Sequence, residues 1–485
     1  MAAIDDIRTE RLKKRDRAVE LGMNPYASYT AHDGDSIEKF IDGFDERASK
    51  EGRVTIAGRI FSIREHGGSI FFDLYDGTGS LQGYIKKDTA PDAFQSFMEV
   101  ADRGDFVEIS GTAFITKRGE RSVLVDRWTL LTKSLLPMPE EWFGLKDDDE
   151  RYRKRYLDLL LRDDARKLFE QKAQFWHTMR NFLVSRKFLE VVTPTLEVTT
   201  GGAEARPFKT HHNDFDVDVY LRISVGELWQ KRLMAAGFPR TFEIGRVYRN
   251  EGTSPEHLQE FTNMEFYAAY MNFADGKKFV RDLYIELVQS VFGTTKFERK
   301  GFSFDLADEW PDLDYVSTVE KMTGVNVLNA TEAELESALK KLGVDYEGKN
   351  RERLTDSLWK YCRKQIGGPA FLVNHPKIVA PLSKEREDDA RTTYTAQVII
   401  AGTEIGRMHG ELNDPDDQRK RFEAQQKLID AGDDEAMMPD WEYVEMLEYG
   451  MPPTFGFGCG ERLFSTLAGV TIRESQLFPL MKPKN

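Results

Sequence analysis

The sequence predicts an α+β protein, with a small five-stranded β-barrel followed by an antiparallel sheet flanked by helices. Three observations carry this expectation. Between Arg53 and Leu131, five short runs of alternating apolar residues are separated by glycine-rich turns. From Arg151 onward helical and strand-like runs mix, and runs such as Phe242–Val247 and Thr395–Ile400 have strand character, many of them bounded by glycines. At 485 residues, 40% hydrophobic and 31% charged, the chain is long enough for two or three domains, each with its own core.

Residues 1–52 read as a helical extension. Arg8, Arg11, Lys13, Lys14, Arg15 and Arg17 lie on a stretch without proline or glycine, and read equally as a solvated helix face or one turned to RNA. Residues 53–135 hold the barrel: strands Val54–Ile63, Ser69–Tyr75, Ser80–Ile85, Phe106–Ile115 and Ser122–Leu130, with turns at Gly67-Gly68, Asp76-Gly77-Thr78-Gly79 and Lys117-Arg118-Gly119. Five strands in so short a span match the OB-fold, which binds oligonucleotides on a strand face carrying aromatic and basic residues. Arg59, Phe61, Phe71 and Gln82 are candidates for that face, although Phe61 and Phe71 read more readily as core. A linker at 136–150 follows, marked by Leu135-Leu136-Pro137-Met138-Pro139 and by Asp147-Asp148-Asp149-Glu150. Residues 151–485 form the larger domain. It opens with a long helical stretch, Arg151–Lys187, and carries a charged helical insertion around 315–365.

The net charge of −14 opposes a protein that coats nucleic acid nonspecifically, since such binding rests on many Lys and Arg contacts to phosphate. No apolar run approaches the length of a membrane span, and the start lacks a signal-peptide core, so a cytoplasmic location is expected. Cys362 and Cys459 stand far apart without a CxxC partner, which argues against disulfides and thiolate zinc sites. The pair His211-His212 lacks the spacing of a helical metal site.

Four constellations carry chemistry. Arg249-Asn250-Glu251-Gly252 ends a strand, a polar loop with His257 follows, and a return strand from Glu260 to Tyr270 sets Phe261, Asn263, Glu265 and Tyr267 on one face. An arginine fork there suits a phosphate or a carboxylate, and an aromatic ring can stack on a base. Taken alone, this hairpin also reads as a salt-bridged surface. Second, Glu404-Ile405-Gly406-Arg407-Met408-His409-Gly410-Glu411 alternates as a strand, and a bulge at Gly406 or Gly410 would bring both glutamates to one site. Carboxylates in a phosphate cleft typically hold Mg²⁺. Third, Gly456-Phe457-Gly458-Cys459-Gly460-Glu461-Arg462 lets a ligand approach backbone before the helix Leu463–Ala468. Fourth, the loop Gly201–Phe208 precedes a helix Glu227–Ala236 whose first carboxylate can bind an ammonium group.

With these residues in place, the chain resembles the class II aminoacyl-tRNA synthetases and, within them, the bacterial-type lysyl-tRNA synthetases. Phe188–Leu196 resembles the first class motif, whose proline, here Pro194, sits at a dimer interface. Phe242–Tyr267 resembles the second, and Gly456–Phe464 the third. Lysyl-type loops lie between them: Gly201-Gly202 with Ala205–Phe208, Thr210–Asn213, Glu411–Pro415 and Ala431–Ala436. The resemblance covers nearly the whole chain. It implies a class II catalytic domain at 151–485, an anticodon-binding barrel using Arg59, Phe71 and Gln82, and a homodimer. It also implies a two-step reaction in which ATP and lysine give lysyl-adenylate, and the lysyl group passes to tRNA(Lys). By the same resemblance Arg249 bridges the lysine carboxylate and the α-phosphate, Phe261 stacks on adenine opposite Arg462, and Glu251 and His257 contact the nucleotide. Glu404, with Gln397 at the position of a second carboxylate, holds Mg²⁺. Gly202, Glu227 and Glu265 receive the α-amino end, and Tyr267 and Glu411 the ε-ammonium, in two separated carboxylate sites.

The sequence departs from the family at four places. Gln397 is a neutral amide, and Arg407-Met408-His409 replaces Asn-x-aromatic before Glu411. The third motif is one residue shorter, and Ser224-Val225-Gly226 one residue longer. These departures keep open an RNA-binding or regulatory relative without lysine activation, and activation of another cationic amino acid or transfer to a protein. The barrel weighs against protein lysylation, since a protein substrate needs no anticodon reader.

Overall fold

The computed structural model describes residues 2–32, 34–49, 52–139, 147–203, 205–252, 254–346, 350–433 and 435–484. Part of the linker, Glu204 of the lysyl-type loop and Asp434 lie outside the described residues. The chain divides into two compact units, Met1–Arg151 and Tyr152–Asn485.

In the first unit, strands Arg53–His66, Ser69–Tyr75, Ser80–Lys86, Arg121–Thr132 and Phe106–Ile115 close a barrel in that order. Alternation decides which residues fill it: Ile70, Phe72 and Leu74 are fully buried, while Phe71, Asp73 and Tyr75 between them look outward. Phe61 and Phe71 are therefore not core residues. Phe61 is the extra residue of a bulge between Ile60 and Ser62, which turns it outward. A helix at Pro91–Val100, absent from the expectation, lays Phe94, Phe97 and Val100 into the barrel core. The basic N-terminal helix Ala2–Glu20 is mostly tied down. Arg11 donates to the carbonyls of Arg103, Ser134 and Leu136, Lys14 pairs with Asp102, and Arg17 with Glu99. Charges used in this way stitch the helix to its own unit.

The second unit is built on an eight-stranded sheet in the order Asp312–Asp314, Ala370–Val373, Thr395–Ile400, Thr403–Gly410, Thr454–Gly460, Glu260–Ala269, Arg240–Tyr248, Leu189–Glu190. The expected antiparallel pairing holds in the centre, and the two edge pairs are parallel. Helices Asp163–Ser185, Phe273–Phe292 and Glu461–Ala468 cover one face with Phe175, Phe182, Leu283, Tyr284, Leu287 and Phe464. Each such side chain contributes roughly 1.5–3 kcal/mol on burial, so this face holds the domain together. The middle of the opposite face carries polar groups.

The stretch expected as one helix from Arg151 breaks into Asp148–Arg153, Arg155–Leu161 and Asp163–Ser185. Tertiary contacts outweigh propensity here. The Arg155 guanidinium is buried, donating to Asp158 and to the carbonyls of Glu474, Gln476 and Leu477, and Arg162 adopts extended backbone between two helices. The insertion forms helices Tyr315–Thr323, Glu332–Leu342 and Arg351–Arg363, with a core of their own around Trp359 and Leu358 that also takes in Leu372 and Ile399 of the sheet.

Candidate active site

The polar face of the sheet forms the floor of a cavity of about 870 Å³ lined by residues of the second unit only. Its geometry follows from strand register. Thr454–Gly460 pairs with Glu260–Ala269 without a shift, so Gly456, Gly458 and Gly460 face the cavity while Phe455, Phe457 and Cys459 enter the core. The glycines leave a trough that neighbouring side chains lean over. A Cβ on Gly456 would stand 2.0 Å from Glu411 Oε1 and 2.6 Å from the Tyr267 ring, and one on Gly458 3.1 Å from Glu265 Cγ. The shortened third motif does not misdirect Arg462. The strand ends at Gly460, a helix starts at Glu461, and the change of periodicity returns Arg462 to the cavity. Glu461 turns inward, where it meets Lys172 at 2.9 Å and the Gln476 amide.

The strand Thr403–Gly410 carries a bulge at Ile405, since Val398 pairs with Gly406 and Ile399 with Glu404. The bulge was expected at Gly406 or Gly410. It falls one residue earlier because Gly406 packs against the Tyr284 hydroxyl and the Phe457 ring, 2.5 and 2.8 Å from where its Cβ would be. Two consecutive residues thus face the core, and Glu404, Arg407 and His409 all reach the cavity.

Arg249, Glu251, His257, Phe261, Glu404 and Arg462 line one end. The Arg249 guanidinium lies 5.4 Å from the Phe261 ring centre and donates to the Ile223 carbonyl. Arg462 donates to the Glu256 carbonyl at 3.3 Å. The His257 residue stays accessible, yet desolvation of its ring and then the Arg462 charge pull its pKa down to about 4, so it is neutral at pH 7. Glu404 pairs with Arg363 of the insertion at 3.3 Å. Gln397 reaches the same cavity, but its carbonyl oxygen accepts the Trp359 indole N–H at 2.8 Å. Among the described residues no three His, Cys, Asp or Glu side chains gather as a metal cage. The donor set fits a cation carried on ligand phosphates and held by one carboxylate, Glu404.

At the other end stand Gly202, Glu227, Glu265 and Tyr267. Glu227 and Glu411 are not two isolated acids. Lys231, one turn along the helix Glu227–Ala235 and fully buried, bridges them at 2.7 and 2.6 Å. Sequence reasoning missed Lys231, although its i+4 spacing from Glu227 was the available signal. Each carboxylate uses one oxygen on this ammonium and presents the other elsewhere. Glu227 Oε2 stands 2.7 Å from the Cβ position of Gly202, and Glu411 Oε1 borders Gly456 with no hydrogen-bond partner. Glu265 accepts from the Val225 N–H and from the Tyr267 hydroxyl. Burial raises the pKa of both Glu265 and Glu411, the latter against the pull of Lys231. Despite its own burial, Lys231 is held raised by Glu227 and Glu411.

Two family models match the chain: tRNA synthetases class II (D, K and N) over residues 147–482, and an OB-fold nucleic acid binding domain over residues 54–131. The chain belongs to the class II tRNA synthetases. Among curated relatives of this synthetase, the lysine–tRNA ligase of Thermotoga maritima is 39% identical over 99% of the chain and 97% of its own length. That of Fervidobacterium nodosum is 39% identical over 99% of the chain and 95% of its own length, and that of Moorella thermoacetica 40% over 100% and 99%. The synthetase thus has a ligase's catalytic domain and a nucleic-acid-binding barrel of the kind its sequence predicted. Among its described residues no helix is long and apolar enough to cross a membrane.

On the barrel, Arg59 packs over the Phe106 ring at 4.3 Å, Phe71 stacks on Tyr84 at 4.6 Å, and Gln82 accepts from Ser122. Tyr84 in turn approaches Phe114, and Phe61 approaches Tyr75. Of these aromatics the sequence reading named only Phe61 and Phe71; their partners were legible in the same alternation.

Proposed function

We propose that the synthetase is a cytoplasmic lysine–tRNA ligase acting as a homodimer. In the first step the lysine carboxylate attacks the α-phosphate of ATP, giving lysyl-adenylate and releasing pyrophosphate. In the second a hydroxyl of the terminal ribose of tRNA(Lys) attacks the activated carbonyl and releases AMP. No protein nucleophile is required, and the site works by positioning and charge. Arg249 bridges carboxylate and α-phosphate, Phe261 stacks on adenine, and Arg462, Glu251 and His257 hold the nucleotide. A neutral His257 can hydrogen-bond phosphate without adding charge. Mg²⁺, when bound on the phosphates beside Glu404, would neutralise charge on the departing pyrophosphate.

The observation that carries lysine as the substrate is the pair of carboxylate oxygens left over by the Lys231 bridge, one at Gly202 and one at Gly456 beside Tyr267. A substrate with two ammonium groups satisfies both. One with a shorter or neutral side chain leaves Glu411 Oε1 buried and unpaired, which disfavours it. The dimer reading is supported by Val192 at 92% exposure and by exposed Leu189, Leu196 and Val198 around Pro194. ATP–pyrophosphate exchange measured across the amino acids should be stimulated by lysine, and absence of that stimulation overturns the assignment.

A further inference from the structure

Arg407 is a half-buried cation of the cavity that, like Arg249 and Arg462 at the nucleotide end, meets no carboxylate among the described residues. Arg407 lies on the Thr403–Gly410 strand with its guanidinium lining the cavity, and its Nη2 donates to the Val379 carbonyl at 2.7 Å. Its Nε is buried without a hydrogen-bond partner. Among the described residues no carboxylate stands within 4.0 Å of it, whereas the arginines that are buried outright in this domain, Arg155, Arg222, Arg363 and Arg421, each have one. An arginine cannot relieve this by losing its proton, so a sheltered guanidinium calls for an anion. Its field acts on its neighbours: burial and then Arg407 hold His375 at about 3 and His409 well below its ordinary value, so neither histidine competes as a cation.

Register decides which part of a ligand this charge meets. Arg407 pairs with Gly458, and Gly458 with Glu265, so Arg407 and Glu265 face each other across the glycine trough, their Cα atoms about 10 Å apart at two strand spacings. At this level of the trough one wall offers the carboxylate of Glu265 and the other the guanidinium of Arg407, while Glu411 stands further along the Arg407 side at Gly456. The nucleotide end lies further along, where Glu404, Arg462 and His257 gather. A group lying in the trough with its ammonium toward Glu265 turns its carboxylate toward Arg407.

We propose that Arg407 is a substrate-binding residue that receives the α-carboxylate of the amino acid, opposite Glu265, which receives its α-ammonium. Arg249 then approaches the same carboxylate from the nucleotide side, and the two cations hold it between them for attack. Arg407, one of the departures from the family pattern, thus serves the carboxylate end of the substrate. The inference rests on the amino-acid-activating function proposed above.

The test compares wild type, Arg407→Gln and Arg407→Lys by ATP–pyrophosphate exchange, with cadaverine, which is lysine without its carboxylate, as competitive inhibitor. A charged hydrogen bond lost from the substrate should raise the KM for lysine by about ten- to hundredfold in Arg407→Gln. The Ki of cadaverine and the KM for ATP should stay within about twofold, and Arg407→Lys should recover part of the loss. An unchanged lysine KM overturns the proposal, as does an equal rise in the cadaverine Ki, which would mark a change of pocket shape. A rise confined to the ATP KM assigns Arg407 to phosphate and overturns it equally. Failure of lysine to stimulate the wild-type enzyme is a separate result that overturns the assigned function. The same comparison is then made with whichever amino acid does stimulate and its decarboxylated amine, and an Arg407→Gln effect common to both overturns the carboxylate contact.

Discussion

At the scale of single residues, the ammonium of Lys231 organises the acidic end of the site. With Lys231 fully buried and Glu411 nearly so, removing the shared cation leaves two desolvated carboxylates uncompensated. Breaking a buried pair from one side typically costs about 3–5 kcal/mol, so Lys231→Ala should lower the denaturant midpoint by a margin easily resolved at equilibrium. An unchanged midpoint would show that the bridge does not contribute. Protonation provides a second prediction. Glu265 and Glu411 have folded pKa values raised above the ordinary 4.5, so their contribution to stability is full below 4.5 and is lost as pH rises through the raised values. Bound lysine favours the ionised forms. The increase in melting temperature produced by saturating lysine should therefore be larger at pH 8 than at pH 6, and thermal melts at the two pH values would refute this if the increase shrank. Of these residues the sequence announced Glu227, Glu265, Tyr267 and Glu411 through motif and strand period. It did not announce that Lys231 joins two of them, because that contact depends on a helix and a strand separated by 180 residues meeting at one point.

Elements explain why some readings transferred and others did not. Strand faces were legible wherever alternation was unbroken: Phe261, Asn263, Glu265 and Tyr267 share the cavity as expected. The position of the bulge was not legible, since it is set by Tyr284, from a helix remote in sequence, closing over Gly406. The break of the long helix was hidden for the same reason, because the carbonyls that bind Arg155 come from residues 474–477. A one-residue deletion within a strand would flip side-chain direction, and the switch from strand to helix at Glu461 spares the shortened third motif that flip. This strand also yields a graded prediction. Gly456→Ala would place a methyl 2.0 Å from Glu411 Oε1 and against Tyr267, whereas Gly458→Ala makes its one tight approach, 3.1 Å, to the flexible Glu265 Cγ. Lysine-dependent exchange should be lost in Gly456→Ala, with a drop of at least about a hundredfold in kcat/KM, and fall by about tenfold or less in Gly458→Ala. Equal losses in the two variants would contradict the trough as the lysine site.

For the whole molecule, the question is how an acidic protein selects a polyanion. A net charge of −14 gives no general attraction for nucleic acid, so binding must come from local surfaces. On the first unit the basic residues of the N-terminal helix are largely occupied by Asp102, Glu99 and backbone carbonyls, which leaves the aromatic barrel face as the stronger candidate. There Phe71, Tyr84 and Phe114 form a connected set of rings, with Arg59 over Phe106 on the same barrel. Stacking an unpaired base on such a ring is worth about 1–3 kcal/mol by alanine substitution, which is about five- to 150-fold in affinity. On the proposed reading both chemical steps belong to the second unit and the barrel only binds tRNA, so the effect should separate. In Phe71→Ala the KM for tRNA in aminoacylation should rise within that range, while ATP–pyrophosphate exchange, which needs no tRNA, should keep its wild-type rate and lysine KM. Because Phe71 lies outside the barrel core formed by Ile70, Phe72 and Leu74, the variant should also unfold at nearly the wild-type temperature. A variant that charges tRNA normally would remove this face from anticodon recognition. One that loses exchange as well would mean that the barrel face supports the catalytic unit and does not serve only as a reader of tRNA.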